Sequence, residues 1–204
     1  MLDFKVDKTA LIIVDMQNDF VREGAPMQVK DALLTVKPIQ NLIKTARKSN
    51  MPIIFTKFVA GPKKTLIWNW SPEIESDKCC FRNYKRIYKD TSEPLECTDI
   101  ISELKPDPLD YIVEKYGYSA FRNTNLIDIL YAEHRDSVIV TGTVTQICVA
   151  DTVHDAFHFG LKVLVSGDGV SSFSKTQHEA ALENMEMKYA IVSNSDEIIA
   201  RFIT

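Results

Sequence analysis

Six short apolar runs alternate with segments of helical periodicity along this chain, and this alternation constrains the fold more than any other feature. Runs that are apolar at almost every position, such as 10–14 and 138–140, are typical of strands buried on both faces of a parallel sheet. The predicted strands are 9–14, 52–56, 110–113, 138–140, 162–165 and 189–192. Such an order predicts an α/β protein with three layers (α/β/α) and a mostly parallel, roughly six-stranded, Rossmann-like sheet.

The segments between these runs have the apolar spacing of amphipathic helices. Helices are predicted at 31–49, 124–132, 148–159, 176–188 and 195–202, with one short helix at 98–104. Residues 16–21 and 167–170 are predicted as loops. The least regular part is 57–107, so we predict a single domain, 1–204, with an irregular insert or lid at about 57–107. Trp68 and Trp70 in this insert either close over a ligand or lie at a subunit interface, and the interface is the preferred interpretation.

Composition and charge exclude several classes of function. The net charge of −4 argues against a general nucleic-acid binder. Four irregularly spaced cysteines do not form a disulfide framework, and no apolar run reaches the length of a membrane span or a signal-peptide core. We therefore expect a cytoplasmic protein that acts on a small molecule, without nucleic-acid or membrane partners. No G-x-G-x-x-G or Walker A sequence occurs, so no cofactor is predicted.

Three residues of reactive type fall at the ends of predicted strands. Asp15 directly follows the first strand, Lys115 lies just past the third, and Cys148 lies in or near the first turn of the helix after the fourth. Each alone has an ordinary structural explanation: a turn aspartate, a surface lysine and a buried cysteine. Together, at the sheet edge where α/β sites form, they make a coherent set for nucleophilic attack on a carbonyl. The dipole at the start of the helix is expected to favour a thiolate.

The segments LIIVDMQNDFV, EKYGYSAF and VTGTVTQICVADTVHDAFHFGLKVLVSGDGV resemble the isochorismatase-like cysteine hydrolases, over about 9–199 of the chain. The resemblance implies a catalytic triad of Asp15, Lys115 and Cys148. It also implies a cis peptide before Val144, in the loop that contains Thr143, with the Val144 and Cys148 N–H groups directed toward a developing oxyanion. Further implications are substrate contacts from Gln17, Phe20 and Tyr118, and a homo-oligomer, either dimer or tetramer.

Two departures from family patterns narrow the chemistry. Nicotinamidases of this family hold a metal through an aspartate and histidines after the second strand, but 55–61 here reads FTKFVAG, so no metal is predicted. The branch that hydrolyses isochorismate tends to lack the cysteine, so Cys148 favours amide cleavage.

A rival signal is His154-Asp155-Ala156-Phe157-His158, which is close to the zinc motif H-E-x-x-H. It has Asp in place of Glu and no third ligand at a recognised spacing, so polar surface or interface histidines are preferred.

The sequence thus predicts a cysteine-dependent amidohydrolase that cleaves a small amide, carbamoyl or ureido compound through a thioester. Two alternatives stay open at this stage. One is an isochorismatase-type vinyl-ether hydrolase, in which Asp15 supplies the proton and Cys148 is dispensable. The other is a non-catalytic member of the family that acts as a binding or assembly protein.

Overall fold

The computed structural model describes residues 2–202 of the chain. This part contains eight strands, which are β1 Thr9–Val14, β2 Ile53–Phe58, β3 Lys85–Arg86, β4 Leu95–Glu96, β5 Tyr111–Lys115, β6 Ser137–Thr143, β7 Lys162–Ser171 and β8 Ile191–Ser193. Its helices are α1 Asn18–Val21, α2 Val36–Lys48, α3 Leu66–Trp70, α4 Glu73–Ser76, α5 Leu126–Ala132, α6 Ala150–His158, α7 Lys175–Lys188 and α8 Ser195–Ala200. None of these helices is both long enough and apolar enough to cross a lipid bilayer.

Six strands form one parallel sheet in the order β5-β2-β1-β6-β7-β8. Alternate residues of the central strand β1 enter two separate cores, because side chains along a strand point to opposite faces. Leu11 and Ile13 pack in the core that α2 and α8 cover, whereas Ile12 packs in the core of α5, α6 and α7. Each of these fully buried side chains contributes about 1.5–3 kcal/mol. The predicted three-layer α/β/α fold is confirmed.

Several predicted boundaries are wrong in detail. Residues 167–170 are not a loop but part of β7, since the chain continues to pair with β6 through Val170 and Ser171. Residues 16–21 include the short helix α1. The helix predicted at 31–49 begins as a 3-10 turn, Ala32–Thr35, and becomes regular only at Val36. Pro38 is therefore in the first turn of α2, where its missing N–H costs no helical hydrogen bond.

The insert at 57–107 is more ordered than the sequence pattern indicates. It contains α3, α4 and the antiparallel ribbon of β3 and β4, while the helix predicted at 98–104 is only a 3-10 turn, Ser102–Leu104. Asp19 of α1 anchors this insert although its side chain is fully buried. Its Oδ1 accepts hydrogen bonds from Arg86 Nε at 3.0 Å and Tyr88 Oη at 2.7 Å, and its Oδ2 accepts one from the Cys80 N–H at 2.8 Å. The ion pair with Arg86 compensates the buried charge.

Gly142 allows β1 and β6 to approach each other at the edge where their loops begin. It has a positive φ of 103° and lies at a register shift between β6 and β7. A Cβ atom at this position would lie 2.0 Å from the carbonyl oxygen of Val14. Only glycine fits here, because an L side chain would meet both backbone strain and a steric overlap.

Candidate functional site

Asp15 lies at the carboxyl end of β1 and is held in one orientation by Thr56 of β2. The backbone of Asp15 has a φ of 48°, a left-handed conformation that aspartate tolerates better than most residues. Thr56 Oγ1 donates to Asp15 Oδ1 at 2.6 Å and accepts from the Asp15 N–H at 3.1 Å. Both side chains are fully buried. The carboxylate is therefore fixed at the base of the site.

Lys115 is the last residue of β5, and its side chain is 1% exposed. Its Nζ lies 2.6 Å from Asp15 Oδ2 and donates a hydrogen bond to the Gly117 carbonyl at 3.0 Å. Burial is the largest single influence on the pKa of Lys115 and acts to lower it, but Asp15 and Cys148 together outweigh burial, and the pKa is raised. The lysine is consequently a stable cation. Apart from this ion pair, Asp15 Oδ2 has no partner among residues 2–202.

Cys148 lies in a wide turn, Thr145–Val149, that connects β6 to α6. The turn is wider than an α-helical turn because the Val149 N–H donates to the carbonyl of Val144, five residues back. Thr152 of α6 holds the end of this turn in place. Its Oγ1 donates a hydrogen bond to the Cys148 carbonyl at 2.7 Å and accepts one from the Ala120 N–H at 3.0 Å. The thiol is 6% exposed and faces Asp15 and Lys115 at the floor of a cleft.

Burial raises the pKa of Cys148 to about 12. The charge of Lys115 acts in the opposite direction and that of Asp15 in the same direction as burial. The expectation of a resting thiolate, based on the dipole of the following helix, is therefore not met. The two fixed charges act on the pKa in opposite directions, and loss of solvent, the largest single influence, favours the neutral thiol. A base must take the proton when the sulfur attacks, and the Asp15 carboxylate is a direct neighbour of the thiol.

The cleft above Cys148 has a volume of about 650 Å³ and a largely apolar lining. Two of the predicted substrate-binding residues, Phe20 and Tyr118, form part of it, and so does Val144 of the predicted oxyanion loop. Burial raises the pKa of Tyr118, so its hydroxyl stays a hydrogen-bond donor. The remaining lining residues are Pro26, Met27, Gln28, Phe58, Ile67, Trp70, Ser71, Glu73, Ile147, Cys148 and Phe173.

The peptide bond between Thr143 and Val144 is cis, as the family resemblance implied. Thr143 itself points away from the cleft, and its Oγ1 donates to the Ser171 carbonyl at 3.2 Å. Gln17, predicted to bind substrate, does not line the cleft either. Its side chain is fully buried, with Nε2 donating to the carbonyls of Phe58 and Thr98 and Oε1 accepting from the Phe58 N–H. Gln17 thus ties the segment after β1 to β2 and the insert, and its burial and its two used amide donors keep it from a ligand in the cleft.

Sequence reasoning missed the threonines that hold the reactive groups. Thr56 ends the second predicted strand, at the same sheet edge as Asp15, and this position was the available signal. Thr152 follows Cys148 by four residues and so lies on the same helical face, where a hydroxyl reaches a carbonyl one turn back. Glu73 of the insert had no recognisable signal, because its place in the cleft depends on how α4 packs.

Within residues 2–202, one cluster of potential metal ligands, Asp19, Cys79 and Cys80, has donor atoms within 4.8 Å of one another. Both Asp19 oxygens already accept hydrogen bonds from the insert, and burial raises the pKa of Cys80 well above its usual value, which keeps its thiol neutral. This cluster therefore fits a structural role. His154 and His158 both pack against Tyr189, with the ring centroid of His154 4.3 Å from that of Tyr189.

Comparison with known proteins agrees with this geometry. The model of the isochorismatase domain family matches residues 9–197. The chain is 28% identical to an isochorismatase of Bacillus subtilis over 95% of its own length and 57% of that protein. It is 27% identical to a ureidoacrylate amidohydrolase, RutB, of Pseudomonas savastanoi pv. phaseolicola over 98% and 86% of the two chains. A cysteine hydrolase from Pseudomonas syringae pv. phaseolicola superimposes with a TM-score of 0.89, at 26% identity over 98% and 95% of the two chains.

The protein belongs to the isochorismatase family of hydrolases. Members of this family include amidohydrolases, which act on C–N bonds.

Proposed function

We propose that this protein is a cysteine-dependent amidohydrolase that cleaves a small amide, carbamoyl or ureido compound. The observation that carries the proposal is the buried ion pair of Asp15 and Lys115 beside the Cys148 thiol, at the floor of an otherwise apolar cleft. An ion pair buried this deeply is costly unless it is well compensated, and strongly perturbed groups of this kind cluster at functional sites. The Pseudomonas relative named for ureidoacrylate supports amide-type chemistry in this branch of the family.

In the proposed mechanism, Asp15 accepts the Cys148 proton as the sulfur attacks the substrate carbonyl. The carbonyl π pair moves to oxygen, and the N–H groups of Val144 and Cys148 stabilise the oxyanion. Lys115 stabilises the anionic transition state by its charge. When the C–N bond breaks, the leaving nitrogen takes the proton from Asp15 and departs as ammonia or an amine. Water then attacks the thioester with Asp15 again as base, which releases the acid and restores the thiol.

The test compares Cys148→Ala and Cys97→Ala with the wild type, on a panel of primary amides and ureido compounds, by release of ammonia. Cys97 is also buried but lies outside the cleft, with its thiol donating to the Phe81 carbonyl. We expect Cys148→Ala to lose at least about a thousandfold in kcat/KM, as removal of a covalent nucleophile does, and Cys97→Ala to retain activity if it folds.

Full retention of ammonia release by Cys148→Ala would refute the thioester mechanism. Isochorismate should be assayed with the same variants, because a relative of this chain is an isochorismatase. Hydrolysis of isochorismate at an equal rate by wild type and Cys148→Ala would instead support the vinyl-ether reaction, in which the thiol has no part.

We further propose that the protein works in the cytoplasm as a homo-oligomer, a dimer or tetramer. Cysteines 79, 80, 97 and 148 are all free, which suits a reducing compartment. Trp70 and Phe173, which line the cleft, leave 82% and 59% of their surface exposed, and Leu66, next in sequence to the lining residue Ile67, leaves 80%; this favours a partner subunit over the cleft. Sedimentation equilibrium tests this, and a monomer at micromolar concentration would contradict it.

A further inference from the structure

The lining of the cleft is unusual in its charge. Among the lining residues, Glu73 is the one that carries a charge, and ten of the others are aromatic or aliphatic. Lys115, the cation beside the Cys148 thiol, is 1% exposed and paired with Asp15 at 2.6 Å, so it is not free to bind a ligand anion. A substrate carboxylate in this cleft would thus lose its hydration without gaining a free cation, which is strongly unfavourable.

Glu73 is placed so that its charge acts on a bound ligand. It is the first residue of α4, is half-buried, and its carboxylate has no ion-pair partner in residues 2–202. Glu75, two residues further along the same helix, differs in each respect. It does not line the cleft, and it forms an ion pair with Lys64 at the surface, where both side chains are more than 60% exposed. The uncompensated charge of Glu73 should repel a ligand anion and leave a neutral ligand unaffected.

We infer that the substrate is an amide whose non-reacting part is apolar and carries no negative charge, and that Glu73 is the specificity-determining residue that rejects anionic amides. This inference rests on the amidohydrolase function proposed above, and it deepens that function by naming the substrate class. The size of the cleft admits a ring-bearing side chain, for which Phe20, Phe58 and Trp70 supply aromatic contacts.

Equilibrium binding to the full chain with Cys148→Ala tests the inference without requiring turnover. The probes are 3-phenylpropanamide and the same amide with a carboxylate at the para position of the ring, and calorimetry gives the two dissociation constants. We expect the neutral amide to bind at least about tenfold more tightly than the anion at low salt. Adding Glu73→Gln should lower the ratio of the two dissociation constants about tenfold, because it strengthens the binding of the anion alone. Glu75→Gln removes the same charge from the same helix and should leave this ratio unchanged.

Each contrary result overturns a stated part of the inference. Binding of the anion as tightly as the neutral amide, or no binding of the neutral amide at millimolar concentration, would refute the substrate class. Equal effects of Glu73→Gln and Glu75→Gln would refute the role of Glu73. The proposed function can be refuted independently. If the neutral amide binds as expected but the wild type hydrolyses neither it nor any other amide, the binding preference of the cleft is supported and the amidase function is refuted. If the wild type hydrolyses the anion faster than the neutral amide, the amidase function stands and the inferred substrate class is refuted.

Discussion

Thr56→Val is the substitution that most directly tests how the site is built, because it removes one hydroxyl and keeps the shape of the side chain. That hydroxyl makes two buried hydrogen bonds to Asp15, one to the carboxylate at 2.6 Å and one from the backbone N–H at 3.1 Å. A bond to a buried charge contributes about 1.5–3 kcal/mol, and a buried N–H left without a partner costs about 1–3 kcal/mol. We therefore expect the free energy of unfolding to fall by about 3–5 kcal/mol.

The effect on activity should exceed what instability explains, since Asp15 would lose the contact that orients it toward the Cys148 thiol. Loss of about 2 kcal/mol of orienting energy corresponds to about a 30-fold decrease in rate. We expect this decrease in kcat, with KM changed little, because the hydroxyl of Thr56 does not line the cleft. The assay is steady-state hydrolysis of a neutral apolar amide, well below the melting temperature of the variant.

Two further variants separate positioning from packing. Thr56→Ser retains the hydroxyl and should recover most of kcat. Thr141→Val is the matched control: this threonine is also fully buried, lies on β6 at the other side of β1, and donates to the Ile12 carbonyl at 3.2 Å. It should lose stability by about 1 kcal/mol and keep its kcat. Equal kcat losses in Thr56→Val and Thr141→Val would refute the positioning role of Thr56.

Two other predictions concern the sheet edge and the thiol. Gly142→Ala places a Cβ 2.0 Å from the Val14 carbonyl oxygen, so we expect a loss of about 4 kcal/mol or more in thermal unfolding. Gly117→Ala, whose Cβ would meet no atom within 4 Å, should change stability by about 1 kcal/mol at most. Equal melting temperatures for Gly142→Ala and Gly117→Ala would contradict the steric argument. Because the pKa of Cys148 is raised to about 12, its alkylation by iodoacetamide in the free enzyme should accelerate about tenfold per pH unit from pH 7 to 10, and a plateau below pH 9 would show a stable thiolate instead.

The sequence was most informative where a local pattern and a topological rule act together. The apolar runs around Ile12 and Ile139 predict buried parallel strands, and parallel strands place their carboxyl ends at one edge, so the sequence predicts that Asp15, Lys115 and Cys148 meet. The structure brings these three side chains together. The same reasoning could not find that 167–170 continue β7, because the glycines there indicate a turn and only pairing with β6 overrides them.

What the sequence could not predict depends on contacts between distant segments. The protonation state of Cys148 follows from the balance of burial against two opposite charges, and a position at the start of a helix gives only one part of that balance. Gln17 was expected to contact substrate, yet three hydrogen bonds to β2 and the insert occupy its amide. For Gln17 these contacts are with Phe58 and Thr98 of 57–107, the segment with the weakest periodicity, so the sequence could not predict them.

Under the proposed function, the chemistry and the specificity of this site arise from different parts of the chain. The sheet edge supplies Asp15, Lys115 and Cys148 on β1, β5 and the turn before α6, which is a rigid frame tied by Thr56 and Thr152. The insert supplies Trp70 and Glu73, residues that can change without disturbing any strand. A fold arranged in this way retains its reaction while its substrate varies. Exchange of the insert between this protein and an anion-specific relative should thus transfer substrate preference and leave the need for Cys148 unchanged.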